Sequence, residues 1–195
     1  MLPSPARRLL RNAAAAGLLF AALGCSPGKP GSAPPGPAPP SSAAPEGRPV
    51  TLLYLDPASG LLAPCPATAV LMGNAQGDLC EVTRRYLAGP ACGDRMPVFP
   101  EGTALRGLYV LEGGIVVVDL SGQAASGAGS ATETARVYGL VDTLCLNFPE
   151  VRAVRLLVEG REVETLLGNV DLARPLPPEA GLAAPEVQAA LGRKP

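Results

Sequence analysis

From residue 49 onwards the chain alternates between short apolar runs and two stretches in which apolar residues return every three or four positions. Val50 to Leu55 is an apolar run of strand length, closed by Asp56-Pro57 and a turn at Gly60. Leu61 to Pro64 is expected to return briefly along it. Asp78 to Ala88 reads as a helix, with Asp78 as N-cap and Glu81 three residues later. Leu79, Val82 and Tyr86 share one face, and Gly89-Pro90 is the stop. Leu105 to Leu111 and Ile115 to Leu120 are two strands joined in a tight hairpin at Glu112-Gly113-Gly114. After a loop of small residues from Ser121 to Gly129, Ser130-Ala-Thr-Glu133 reads as a capping box. It opens a helix to about Phe148 whose buried face is Val137, Val141, Leu144 and Phe148. Val154 to Val158 is a further strand, Gly160 its turn and Glu162 to Leu166 the return. Pro175, Pro177 and Pro178 close the domain. Residues after Glu179 read as a loose tail, within which Ala184 to Leu191 has the spacing of a short helix.

The order strand, helix, two strands, helix, strand predicts an α+β fold, βαββαβ, with two helices on one face of a small mixed sheet. The helix-free face and the sheet edges are then left for partners.

The first 48 residues have a different character. Arg7, Arg8 and Arg11 form a positive segment, followed by eleven apolar residues from Ala13 to Leu23 and then Gly24-Cys25. That length with those flanks predicts an export signal over residues 1–24 and is too short to span a bilayer. Its end resembles the lipobox of bacterial lipoproteins, which implies lipidation (palmitate among the acyl chains) at Cys25. Ala22 and Leu23 depart from that pattern, which prefers Leu, Val or Ile at the first position and a small residue at the second. Residues 25–48 are dominated by Pro, Gly, Ala and Ser, with only Lys29, Glu46 and Arg48 charged. Such a stretch cannot bury a core and is expected to act as an extended linker at about 3.1 Å per residue. The folded domain is expected over residues 49–175, and a flexible tail over residues 176–195. The expected location is the cell envelope, on a membrane, with Ser26 after the lipidated cysteine favouring the outer one where the host has two.

Composition excludes much chemistry. The chain has no histidine, which removes Ser-His-Asp and Cys-His catalysis and every His-bearing metal site. It has no tryptophan and few aromatics, so a stacking platform for sugars or bases is not expected. Removing residues 1–24 takes three of the sixteen basic residues and leaves thirteen against seventeen acidic ones, a net of −4. Nucleic acid therefore finds no basic patch. Neither a cofactor nor a metal is expected. Cys65, Cys80, Cys92 and Cys145 contain no C-x-x-C pair, and an even number in an exported chain reads as two disulfides. Three pairings are open. Cys80 and Cys145 fall on predicted helices and Cys65 and Cys92 in loops flanking the first, so helix-to-helix and loop-to-loop pairing is the expectation.

Several blocks then occur in order: Tyr-Leu-Asp at 54–56, Tyr-Leu-Ala-Gly-Pro at 86–90, Phe-Pro-Glu-Gly-Thr at 99–103 and Gly-Gly-Ile-Val-Val-Val-Asp-Leu-Ser at 113–121. They continue with Asp-Thr-Leu at 142–144, Phe-Pro-Glu-Val-Arg-Ala-Val at 148–154 and Leu-Leu-Val-Glu-Gly-Arg-Glu-Val-Glu-Thr-Leu-Leu-Gly-Asn-Val-Asp-Leu at 156–172. In this order they resemble the GerMN domain of sporulation and spore-germination proteins, also found in envelope lipoproteins. The four cysteines and an insert from Cys65 to Gly77 depart from that family. The resemblance implies binding rather than catalysis, with an envelope protein or a second copy as partner, in cell-wall, sporulation or germination processes.

Enzymatic readings have little to stand on. Asp119-Leu-Ser-Gly122 has the wrong residue after the aspartate for an acid protease and no second copy. Ser126 to Ser130 precedes a helix but lacks the Gly-Lys-Ser/Thr of a phosphate loop. Glu101, Asp119, Glu159, Glu162 and Glu164 could supply a carboxylate pair for glycan hydrolysis, although Glu162 and Glu164 alternate as a solvated strand face does. The expectation is a non-catalytic, lipid-anchored assembly module, with peptidoglycan or glycan binding as the alternative.

Overall fold

A computed structural model describes residues 47–127 and 129–192; the expected export signal, Cys25 and most of the expected linker lie outside them. Strands β1 (Arg48–Leu55) and β2 (Leu62–Ala69) form an antiparallel hairpin. They are followed by α1 (Ala75–Leu87), β2's successors β3 (Leu105–Leu111) and β4 (Ile115–Leu120), and α2 (Ser130–Asn147). Last come β5 (Ala153–Val158), β6 (Arg161–Glu162) and α3 (Pro185–Leu191). The fold is α+β, as the apolar pattern predicts. The strands divide into two sheets, however: the β1–β2 hairpin and a mixed sheet in the order β3-β4-β5-β6, with β4 and β5 parallel. Leu108, Val116, Val118, Leu120, Val154, Leu156 and Val158 point from that sheet into one core with the helices and the hairpin.

The division into two sheets has a local cause. The outer edge of β1 is taken by helix α2 instead of another strand. The Leu53 N–H donates to Thr143 Oγ1 at 2.9 Å, the Thr51 N–H donates to Asn147 Oδ1 at 2.9 Å, and Asn147 Nδ2 donates to the Thr51 carbonyl at 2.7 Å. Gly139 completes this stripe. A Cβ there would overlap the Tyr86 hydroxyl and stand 3.1 Å from the Leu53 carbonyl. Residues four apart share a helix face, so Gly139, Thr143 and Asn147 form one polar seam that satisfies an otherwise open strand edge.

Several local expectations are corrected. The return expected over Leu61 to Pro64 is an eight-residue strand, and it takes up the first part of the predicted insert. Pro64 and Pro66 lie opposite Leu53 and Thr51, whose N–H groups face away from β2. The missing proline N–H groups therefore fall on the outer edge, where no ladder bond is lost. The N-cap of α1 is Asn74, which accepts from the Gly77 N–H at 2.7 Å; Asp78 sits within the first turn and accepts from Met72 and Gly73. No capping box opens α2. Its N-cap is Gly129, and Glu133 instead reaches into the interior, where Oε1 accepts from the Leu166 and Leu167 N–H groups and Oε2 from the Asn169 N–H and amide. That inward turn of residues 166–169 limits the predicted return over Glu162 to Leu166 to the two residues of β6.

The segment expected as a loose tail is built into the domain as far as Gly192. Leu176 exchanges two 2.8 Å backbone bonds with Val154, and the Ala184 N–H donates to the Leu62 carbonyl at 2.8 Å. Ala183, Val187 and Leu191 are buried. The prolines before this segment end regular structure without ending the core.

Of the two expected disulfides, Cys65–Cys92 is present, with a Cα–Cα distance of 5.9 Å, and Cys80 and Cys145 are free thiols. Both free cysteines are half-buried and pack against the core as small apolar groups. Burial, with the Asp142 charge adding to it, pushes the Cys145 thiol up to about 12. The Cys65–Cys92 bridge joins residues 27 apart in sequence and fastens the segment after α1 to β2. Replacing both by alanine should lower the unfolding free energy by about 3 kcal/mol, because the cross-link removes loop entropy from the unfolded chain. Urea unfolding of the two forms measures this, and coincident midpoints would contradict it.

Candidate interaction surface

The four-stranded sheet has one face covered by α1 and α2 and one that no helix among the described residues covers. Alternation along the strands places Tyr109 and Leu111 of β3, Ile115, Val117 and Asp119 of β4, and Ala153, Arg155 and Leu157 of β5 on the uncovered face. Its middle is apolar. Tyr109 is 55% exposed and Leu111 50%. Val117 lies between Tyr109 and Arg155 in register and is nearly buried by its neighbours. Gly107 lets the Tyr109 ring lie down on the strand: a Cβ there would stand 3.0 Å from the phenol oxygen. Val110, on the opposite side of β3, is also 43% exposed because it extends beyond the residues that the helices cover.

Charge surrounds this apolar centre. Arg106 occupies an irregularity in the β3–β4 register and reaches Glu159 at 2.9 Å and Asp119 at 3.4 Å. Asp119 also accepts the Gly160 N–H, and Glu159 the Gly122 N–H. Glu159, at a φ of 53°, and Gly160, at 73°, form the two-residue turn between β5 and β6. On the far side Arg155 pairs with Glu162.

These contacts locate the candidate carboxylates. Asp119 and Glu159 are brought together, but around an arginine and two backbone N–H groups that use their oxygens. Glu162 is paired with Arg155, Glu164 is exposed beyond the end of β6, and Glu101 lines a separate groove of about 680 Å³ beside the end of α1. Among the described residues no cluster of three or more Cys, Asp or Glu side chains could hold a metal ion, and no helix is long and apolar enough to cross a membrane. Cys145 lines a second groove, of about 730 Å³, with Leu146, Pro149, Val151 and Leu191. Tyr109 and Leu111 are not among the residues that the sequence patterns mark as candidates. Their signal was the unbroken run Leu108-Tyr-Val-Leu111, apolar on both faces of a strand that needs only one for the core.

The family model for sporulation and spore germination, Germane, matches residues 52–164. The chain belongs to the Germane family. Among solved structures, the tandem GerMN domains of the sporulation protein GerM from Bacillus subtilis are similar at 14% identity and a TM-score of 0.56. That match covers 69% of this chain and 47% of the GerM chain. The first GerMN domain of GerM alone is similar at 18% identity and a TM-score of 0.51, over 67% of this chain and 97% of its own. A candidate lipoprotein from Clostridium perfringens is similar at 20% identity and a TM-score of 0.50, over 68% of this chain and 88% of its own. No curated protein matches. At these identities the likeness establishes the fold, and the Germane match adds the relationship to sporulation and germination proteins.

One buried ionisable group on α2 gives this Germane domain a pH signature. Asp142 is inaccessible; its Oδ1 accepts the Glu179 N–H at 2.9 Å, and its Oδ2 has no partner among the described residues. Burial, helped by the Glu179 charge and opposed by that hydrogen bond, raises its pKa from 3.8 to about 7. A folded-state pKa above the unfolded one means that the folded chain holds the proton more tightly. The stabilisation is complete below pH 4 and is lost as pH rises to about 7. Asp142→Asn should therefore be about 4 kcal/mol more stable than the parent at pH 8 and converge with it towards pH 3.5. An equal difference at both pH values in urea unfolding would overturn this account.

Proposed function

We infer that this Germane protein is an exported lipoprotein, anchored through Cys25 to an envelope membrane, whose domain is a non-catalytic protein-assembly module. Its setting is cell-wall, sporulation or germination processes. The observation that carries the reading is the uncovered sheet face, with Tyr109 and Leu111 about half exposed at its apolar centre. Monomeric domains rarely leave contiguous apolar surface rimmed by charge unless something docks there. The absence of histidine and the arginine-bound state of Asp119 and Glu159 favour binding over hydrolysis. The export signal ending at Cys25, and the likeness to a candidate lipoprotein, support the anchor.

The test is a photo-crosslinking residue at Leu111 in the full chain, in its own cells, against the same residue at Arg85 on the exposed side of α1. Protein adducts from Leu111 and none from Arg85 are expected. Retention of the protein on washed sacculi, with no protein adduct from Leu111, would replace this reading by peptidoglycan binding. Release of muropeptides, abolished by one carboxylate substitution, would replace it by hydrolysis.

A further inference from the structure

β3 is an edge strand of the four-stranded sheet, and its residues are arranged symmetrically about Tyr109. Leu108 and Val110 flank Tyr109, Gly107 and Leu111 come next, and Arg106 and Glu112, opposite in charge, lie three positions away on either side. The backbone groups of Leu108 turn outward. Its carbonyl accepts from Gln76 Nε2 of α1 at 2.9 Å, and alternation turns Val110 outward as well.

We propose that two copies of this chain pair through β3, antiparallel about a two-fold axis at Tyr109, with Arg106 of each copy opposite Glu112 of the other. This deepens the assembly reading above and rests on it. In this register Leu108 and Val110 exchange backbone hydrogen bonds with Val110 and Leu108 of the second copy. The two Tyr109 residues become a non-hydrogen-bonded pair, with Cα atoms about 4.5 Å apart on the uncovered face. The two four-stranded sheets then join into one of eight strands with a continuous apolar face. Leu111 falls opposite Gly107 of the second copy, where no side chain competes for space. Moving the centre to Val110 sets Arg106 opposite Gly114, and moving it to Leu108 sets Arg106 opposite Val110, so neither register pairs the charges. Opposite charges facing across strands favour a register, and like charges disfavour it. An isologous contact of this kind needs no second binding surface.

Arg106 is already held by Asp119 and Glu159 but keeps 47% of its side chain exposed. The Gln76 amide occupies the edge in the free chain and has to yield the Leu108 carbonyl when the strands pair. Few residues make the contact, so the expected dimer is weak in dilute solution and is favoured where copies are crowded on a membrane.

The test uses the full chain in its own membranes. With Tyr109→Cys, mild oxidation should give a disulfide-linked dimer whose bridge maps to residue 109 in both copies. Leu111→Cys, displaced four residues from its own counterpart, should give at least tenfold less, with the parent chain as the background for Cys80 and Cys145. Adding Glu112→Arg to Tyr109→Cys should lower the yield about tenfold, Glu112→Gln less so, and Gln76→Ala should raise it. Equal yields from positions 109 and 111 would overturn the register. Photo-adducts from Leu111 to a different protein, with no dimer through residue 109, would overturn self-pairing and leave the assembly reading standing. Absence of both would overturn the two together.

Discussion

Glu133→Ala is expected to destabilise the domain by about 4 kcal/mol, because it leaves the Leu166, Leu167 and Asn169 backbone N–H groups without their acceptor. The carboxylate is inaccessible to solvent and accepts four hydrogen bonds of 2.7–2.8 Å from Leu166, Leu167 and Asn169. Burial alone pushes its pKa up; the donors at Leu167, Asn169 and Leu166 more than offset this and hold it below its ordinary 4.5. A folded-state pKa below the unfolded one gives stability that is present above about pH 4.5 and lost as pH falls beneath it. The gap between Glu133→Ala and the parent should therefore be widest at neutral pH and narrow towards pH 3.5. Glu133→Gln keeps one acceptor oxygen but turns an NH₂ group towards donors, so it should lose roughly half as much. Urea midpoints at the two pH values decide the matter. A gap that does not change with pH would mean that the glutamate acts through its packing and not its charge.

Arg136→Met should lower stability by about 3 kcal/mol through a different part of the same helix. Arg136 is almost fully buried and donates to the carbonyls of Val98, Ala124 and Ser126 at 2.6–2.9 Å, with its guanidinium 5.7 Å from the centre of the Phe99 ring. Methionine keeps the apolar stem and removes every donor, so the change isolates the polar contribution. Amide exchange should quicken around residues 98–99 and 122–126 while remaining slow in β5. Glu133 and Arg136 lie one turn apart, and the carboxylate partly offsets the burial that pulls the arginine pKa down. Combining Glu133→Ala with Arg136→Met should therefore cost less than the sum of the two single changes. Strict additivity would show that the two anchors act independently.

Both anchors illustrate what the sequence carries and what it does not. The apolar runs of β1, β3, β4 and β5 and the helical spacing of Val137, Val141 and Leu144 are local patterns, and the α+β class follows from their order. β2 was harder to see because Pro64 and Pro66 look like breakers until their positions opposite Leu53 and Thr51 are known. Glu133 looked like a cap because its partners, residues 166–169, lie more than thirty positions away. Gly139, Thr143 and Asn147 read as the polar side of α2, and only the nearby edge of β1 makes them a seam. The candidate surface was legible as a helix-free face. Its centre at Tyr109 and Leu111 was hidden, since the strand run by itself does not reveal which apolar residues the core leaves over.

The packing of residues 176–192 has a consequence for the order of events as the chain is made. Leu176 completes the hydrogen bonding beside Val154, and Ala184 that beside Leu62, so two separate strands await residues 176–184. A chain emerging from its N-terminus can form the β1–β2 hairpin and collapse its helices early. It cannot close its core until about residue 191 has appeared. Vectorial emergence, from a ribosome or across a membrane, thus keeps the domain open and pliable until residues 176–191 are out, and only then lets it lock.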